Sequence, residues 1–128
     1  MIVIELKVAR IDYLDIPVTG GRTPNRDNKA LVLKEYMLPQ VLQLKFNNRD
    51  KFHNGKSIQQ WMDWEAAQLR GYITSTEVVK KVKDGGFLLK AHLVVIVGSR
   101  HILVCDMDRN GKLADPDHIG ESRYFPSL

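Results

Sequence analysis

Two polar side chains at the ends of an aliphatic hairpin pattern are the first candidates for chemistry. His92 stands near the start of the aliphatic run Ala91 to Val97, and Asp106 follows a second run, His101 to Cys105. A carboxylate beside an imidazole can accept its proton, fix its tautomer and stabilise the imidazolium, as the aspartate of a catalytic triad does. The sequence therefore predicts a His–Asp pair, provided that the two runs are neighbouring strands in the right register.

The length of the turn between these strands decides that register. A three-residue turn at 98–100, Gly-Ser-Arg, pairs Val97 with His101, and His92 then stands opposite Asp106. Opposed side chains of an antiparallel ladder share a face, with Cβ atoms about 4.5–5.5 Å apart. A two-residue turn would shift the register by one residue and move Asp106 to the other face.

The same register places Cys105 on the face opposite to Asp106, so it cannot be a nucleophile that His92 activates. We expect this cysteine to be a small buried core residue. Because it is the only cysteine of the chain, an internal disulfide and a cysteine-rich zinc site are excluded. The alternative for His92 itself is a hydrogen-bonded structural role, which is common for a lone histidine beginning a buried strand.

The hairpin pattern is also similar to that of a known group of enzymes. The segment His92-Leu-Val-Val-Ile-Val-Gly98, a turn and Ile102-Leu-Val-Cys-Asp106 resemble the second half of papain-like and transglutaminase-like cysteine peptidase folds. In those folds a His opens one strand and an Asp or Asn closes the next. The segment from Asp106 to Lys112 is also similar to the one that follows this strand in bacteriocin-processing peptidase domains.

The resemblance implies a nucleophile at the N-terminus of an upstream helix, where the helix dipole favours a thiolate. The matching residue is Ser57, so the implied catalytic set is Ser57, His92 and Asp106. A serine at a helix start is also an N-cap, and its hydroxyl lacks the acidity of a thiol. The resemblance therefore implies a degenerate site in a non-catalytic binding or regulatory module, whose protein or peptide partner is unknown.

A basic segment predicts a different function. Residues 22–56 carry eight basic and three acidic side chains, a surplus of five, whereas the whole chain has a net charge of +4. Basic stripes attract phosphate backbones through counterion release, and the alternative is a solvated surface that keeps the protein soluble. The candidate nucleic-acid contacts are Arg22, Arg26, Lys29, Lys45, Arg49, Lys51 and Lys56.

A third candidate site is an acidic loop. Asp106, Asp108, Asn110 and Asp117 match four positions of an EF-hand calcium loop, which would make calcium the cofactor. The match is incomplete, because such a loop ends in Glu and lies between helices, whereas a strand leads into this one. Asn110-Gly111 predicts a plain hairpin turn instead. Asp106 cannot easily serve both calcium and His92, so the two interpretations compete.

Hydrophobic periodicity predicts the strands that position these residues. The alternation of Ile2, Ile4 and Leu6 with Val3, Glu5 and Lys7 is typical of a half-buried strand. Ala91 to Val97 is predicted to be a central strand that is buried on both faces.

The helices follow from caps and helical spacing. Ser57 with Gln60 forms a capping box that opens a helix ending at Gly71. Thr74 with Glu77 repeats the capping pattern before a second helix, in which Val78, Val79 and Val82 are predicted to be buried. A further helix is predicted from Lys29 to Leu38, where Pro39 ends it. The run from Val41 to Phe46 is ambiguous and stays unassigned.

The composition favours one soluble domain. With 128 residues, 44% of them hydrophobic, we expect a single α+β domain over residues 1–128, with an N-terminal strand, two to three helices and a C-terminal antiparallel hairpin or meander. No apolar run approaches the roughly 18–20 residues of a membrane span. Glu5 and Lys7 interrupt the first apolar stretch, so we expect no signal peptide and a cytoplasmic protein.

Overall fold

The computed structural model describes residues 1–86, 89–98, 100–108 and 111–119. Within these ranges the chain forms a mixed sheet with helices on one side. In chain order the elements are β1 (Ile2–Ala9), a short 3-10 helix (Ile11–Tyr13), α1 (Arg26–Lys34), α2 (Leu38–Gln43), α3 (Ile58–Ile73), α4 (Thr76–Gly85), β2 (Lys90–Val97), β3 (His101–Met107) and β4 (Asp117–Ile119).

The four strands stand in the order β1-β2-β3-β4 in one sheet. β1 runs parallel to β2, while β2 with β3 and β3 with β4 are antiparallel. The helices lie between β1 and β2 in the chain, as a parallel connection requires, and α3 packs against β2. The predicted single α+β domain is confirmed. No helix in the described part of the chain is long and apolar enough to cross a membrane.

The hydrophobic core lies between the helices and one face of the sheet. β2 contributes alternate residues, from Ala91 to Val97, and β3 contributes Leu103 and Cys105, all at most 2% exposed. The helix side of the same cluster includes Leu33, Val41, Ile58, Trp61, Met62, Ala66, Leu69 and Ile73. The face of the sheet that carries His92 therefore points away from the helices.

The predicted three-residue turn is confirmed by the strand register. Val97 pairs with His101, and His92 pairs with Asp106. Gly98 has a φ of +59°, and a Cβ atom there would clash with the Leu33 side chain. Only glycine combines this left-handed backbone with so close an approach of another side chain. Ser99 lies outside the described residues.

Two predictions around Pro39 were wrong. The helix predicted to run to Leu38 is α1, which ends at Lys34. Pro39 lies in the first turn of α2, where the amide proton that proline lacks would have no helical acceptor anyway. The unassigned run from Val41 to Phe46 is the end of α2 followed by isolated strand bridges.

The helices after the capping box differ from prediction at their ends. The Ser57–Gln60 box is present, but α3 continues past Gly71 to Ile73, because the buried Leu69 and Ile73 hold its last turn in the core. α4 is capped by Ser75 instead of Thr74. Val78 is buried as predicted, whereas Val79 is 51% exposed.

The strand faces also correct the sequence prediction. β2 is fully buried only on its helix side, since His92, Val94 and Ile96 on the other face are half-buried. In β1 the face expected to be buried is the exposed one. The side chains of Ile2, Ile4, Leu6 and Val8 are 56–68% exposed.

A charge pair joins the helix side of β1 to α3. The side chains of Glu5 and Lys7 lie on the helix side of the strand, and Lys7 Nζ is 3.5 Å from Glu65 Oε2 on α3. Glu65 is only 4% exposed, and a buried carboxylate needs a partner. Lys7 on the helix side of β1 is that partner, and the aliphatic row lies on the other side of the strand.

Lys7→Met should destabilise the protein by about 2 kcal/mol, because it leaves the Glu65 carboxylate buried without its counter-ion. The double variant Lys7→Met/Glu65→Leu should recover most of that loss, since both partners are then apolar. Urea unfolding of the wild type, both single variants and the double variant measures the coupling. Additive single effects would contradict a direct Lys7–Glu65 interaction.

Candidate functional site

The predicted His–Asp pair is formed. His92 Nδ1 and Asp106 Oδ1 are 2.7 Å apart, and their side chains are 28% and 68% exposed. β1 places Ile4 beside His92, so the pair lies on the open face of the sheet. A carboxylate at this distance orients the imidazole and leaves its second nitrogen, Nε2, for a further partner.

Ser57 lies elsewhere in the fold. Its hydroxyl accepts a hydrogen bond from the Gln60 amide at 3.1 Å, and its own amide donates to Gln60 Oε1 at 2.9 Å. As the N-cap of α3 it belongs to the helix layer, whereas His92 and Asp106 are on the opposite face of the sheet. The structure therefore brings two of the three implied catalytic residues together and separates the third from them.

Cys105 is fully buried on the helix side of β3, as predicted from the register. Burial, and then the nearby charges of Asp106, Asp117 and Asp115, raise the pKa of its thiol to about 11. At neutral pH this side chain is a protonated thiol in the core and supplies no nucleophile.

The acidic loop has a turn geometry in its described part. Asp108 Oδ1 accepts the Lys112 amide at 2.9 Å, and Asp108 N donates to Lys112 O at 3.0 Å. Asp117 is on β4, and Asn110 lies outside the described residues. Within the ranges that the structure describes, no three histidine, cysteine or acidic side chains are grouped closely enough to hold a metal ion.

The structure groups three arginines around one carboxylate and one aromatic ring. Arg26 donates to Asp12 at 2.9 Å, and Arg10 lies 3.8 Å from the same oxygen. The Tyr13 ring has the guanidinium of Arg10 at 5.2 Å from its centre and that of Arg49 at 6.0 Å. The hydrogen bond from Arg26, together with the charges of Arg26, Arg49 and Arg10, lowers the pKa of Asp12.

Sequence inspection missed part of this cluster. Arg10, Asp12 and Tyr13 precede the predicted basic segment and join it only because the chain folds back. Asn47 N donates to Tyr13 O at 2.8 Å, and Asn47 Nδ2 donates to Asp12 O at 3.0 Å. The sequence signal that would have drawn attention to these residues is an Arg-x-x-Tyr spacing, which is too common to be informative.

A second group of exposed aromatic residues is formed by Phe52 in the loop after Asn47 and Trp64 on α3. Phe52 is 66% exposed and Trp64 is 42% exposed, and their rings meet edge to face at 5.8 Å. Lys56 Nζ lies 5.4 Å from the centre of the Phe52 ring. His53 joins this pair to the core, with its ring against those of Phe46, Phe52, Trp61 and Trp64.

The remaining predicted cations divide into two kinds. Arg22, Lys45 and Lys51 are exposed, and none of them forms an ion pair with another described residue. Lys29 is directed inward instead, since its Nζ donates to Leu14 O at 3.0 Å. Lys29 therefore stabilises the fold here and is a weaker candidate for phosphate contact than the others.

Two further histidines form a buried pair that the sequence did not indicate. His101 Nδ1 and His118 Nε2 are 2.6 Å apart, and their rings stack at 4.8 Å. The other nitrogen of His101, Nε2, donates to the carbonyl of Leu33. These bonds connect β3, β4 and the end of α1, which is a structural role. They join residues 17 and 68 positions apart, so no local pattern reveals them.

The chain matches no protein-family model, no curated protein and no solved structure. The resemblance to papain-like and transglutaminase-like peptidases therefore stays a prediction. The function has to be inferred from the geometry of the side chains.

The loop that carries Phe52 and His53 is held in place by hydrogen bonds to Asp50. Its Oδ1 accepts the amides of Phe52 and His53 at 3.1 and 3.0 Å, and its Oδ2 is 3.0 Å from His53 Nδ1. Burial alone would raise the pKa of Asp50, but these hydrogen bonds and the charge of His53 lower it below its usual value. A lowered pKa means that the ionised form stabilises the folded state.

Asp50→Asn should therefore destabilise the protein by about 1 kcal/mol at neutral pH. The difference from wild type should be largest above the unfolded-state pKa of about 3.9, and should shrink as the pH falls through the lower pKa of the folded state. Urea unfolding at several pH values between 7 and 3 tests this expectation. A stability difference that stays constant over that range would show that the Asp50 charge contributes nothing.

Proposed function

We propose that this protein binds single-stranded nucleic acid on the surface formed by residues 10–13 and 47–56 together with Trp64. The observation that carries the proposal is the placement of the Arg10 and Arg49 guanidinium groups, 5.2 and 6.0 Å from the centre of the Tyr13 ring. This group brings two phosphate-binding charges together at one point, and the exposed rings of Phe52 and Trp64 supply surfaces for stacking. We name this surface the cation–aromatic surface.

The charge balance of the surface favours a polyanion. Asp12 forms ion pairs with Arg10 and Arg26, and the charge of Arg49 also lowers its pKa. One carboxylate cannot neutralise three guanidinium groups, so a surplus of positive charge faces solvent. Lys51 and Lys56 extend it along the loop. Phosphate binding would release condensed counterions and make the affinity salt-dependent.

The aromatic side chains favour single strands over duplexes. Exposed rings bind bases by stacking, which requires that the bases be unpaired. Phe52 and Trp64 are exposed, in contact with each other and close to Lys56. A strand that stacks on Phe52 or Trp64 would also meet the charge of Lys56. This arrangement suits binding with little sequence preference.

Affinity for a fluorescent single-stranded 20-mer should fall steeply with salt. About four phosphate contacts give a log–log slope near −3, or about a 50-fold loss between 50 and 200 mM salt. Arg49→Glu/Lys51→Glu should weaken binding roughly tenfold or more at a fixed salt concentration, because it replaces two attractive charges by repulsive ones. Fluorescence anisotropy measures both effects.

The matched control is Lys80→Glu/Lys83→Glu on α4, which changes the net charge by the same amount at a distance from the surface. This control should bind nearly as well as the wild type. Equal losses in the two double variants would show that only the net charge matters. Absence of binding by the wild type at 50 mM salt would refute the proposal.

Phe52→Ala should weaken binding by about 1–3 kcal/mol if a base stacks on this ring. Thermal stability should change little, because the side chain is 66% exposed. Tyr72→Ala is the control, since Tyr72 is similarly exposed, at 55%, but lies about 12 Å further along α3 than Trp64. Equal affinities for Phe52→Ala and Tyr72→Ala would remove stacking from the proposal.

A further inference from the structure

The open face of the sheet is aliphatic over most of its area. β1 presents Ile2, Ile4, Leu6 and Val8 on this side, at 56–68% exposure. The strand register continues this face across the other three strands, through Val94, Ile96, Ile102, Val104 and Ile119. Such contiguous patches on soluble proteins mark interaction sites.

The Lys7–Glu65 pair disfavours the alternative in which the aliphatic row of β1 faces the helices. That arrangement would turn Lys7 away from the buried Glu65 carboxylate and place aliphatic side chains against it. An edge strand could also add a further strand, but Glu5 and Lys7 point toward the helix layer, and inward charges disfavour such edge pairing. The row is therefore available to a partner that covers the face of the sheet and not its edge.

From these observations we propose that the open face packs against the same face of a second copy of this chain. Two aliphatic, β-branched sheet faces pack about 10 Å apart with aligned strands, as the halves of a β-sandwich do. Nucleic acid is an unsuitable occupant, since the part of this face that the structure describes has few cations and no exposed aromatic ring. The dimer would be independent of the cation–aromatic surface.

The area of the face is sufficient for a reversible dimer. The four strands contain 8, 8, 7 and 3 residues, and at about 3.3 Å per residue and 4.8 Å between strands they cover roughly 400 Å² in projection. Because side chains roughen that plane, two copies would bury about 1,000 Å² of accessible surface, near the lower limit for a specific interface. A micromolar dissociation constant is therefore expected.

The polar groups at the ends of the face select one orientation. Lys90 and His92 are on β2, whereas Asp106 is on β3 and Asp117 is on β4. A two-fold axis parallel to the strands places β2 over β3 of the second copy, which sets Lys90 and His92 against its Asp106. Asp106 is 68% exposed, so it can accept a second partner beside His92. An axis perpendicular to the strands would instead place Lys90 over aliphatic residues.

Sedimentation velocity of the intact chain from 1 to 100 µM, without nucleic acid, tests the proposal. The wild type should pass from monomer to dimer, and Leu6→Asp should stay monomeric up to 100 µM. Val79→Asp is the matched control, because Val79 is 51% exposed on α4, in the helix layer, and it should dimerise like the wild type. A monomeric wild type, a dimeric Leu6→Asp variant or open-ended oligomers would each overturn the proposal.

A mixing experiment with two variants tests how the two copies are oriented in the proposed dimer. Val94→Asp and Val104→Lys should each be monomeric, because both place like or unpaired charges in the centre of the face. Their equimolar mixture should form a heterodimer, since the axis sets residue 94 of one copy against residue 104 of the other. Native mass spectrometry identifies the species, and a mixture that stays monomeric would refute this packing. Far-UV circular dichroism confirms that the variants are folded.

Discussion

The pairing of β2 with β3 through the turn at Gly98 is the constraint on which the rest of the structure depends. It places alternate residues of both strands in the core and the others on the open face. A shift by one residue would bury Asp106 and expose Cys105. The close packing of Leu33 against Gly98 connects this register to α1, so the turn also positions the helix layer.

A second, electrostatic interaction joins β1 to the helix layer. Glu65 is buried in α3, and Lys7 supplies the neighbouring positive charge. This pair gives a buried carboxylate its partner, while the aliphatic row of the same strand lies on the open face. In our proposal that apolar face packs against a second copy of the chain.

The two proposed functions use separate parts of the molecule. The cation–aromatic surface is formed by the segment around Tyr13 and the loop held by Asp50, whereas the proposed dimer interface is the far side of the sheet. A dimer would present two copies of the first surface to one strand, and such bivalency raises the apparent affinity when the linkage permits both contacts. In the proposed dimer the His92–Asp106 pair would lie within the interface.

Local sequence patterns determined the elements whose partners are near in the chain. The Ser57–Gln60 capping box, the three-residue turn, the His92–Asp106 pair and the burial of Cys105 were all predictable, because neighbouring residues decide caps, turns and ladder register. Which face of a strand is buried, and which cations meet one ring, depends on residues distant in the chain. Only the tertiary structure could therefore reveal that Lys7 of β1 faces the buried Glu65, or that Arg10 and Arg49 meet at Tyr13.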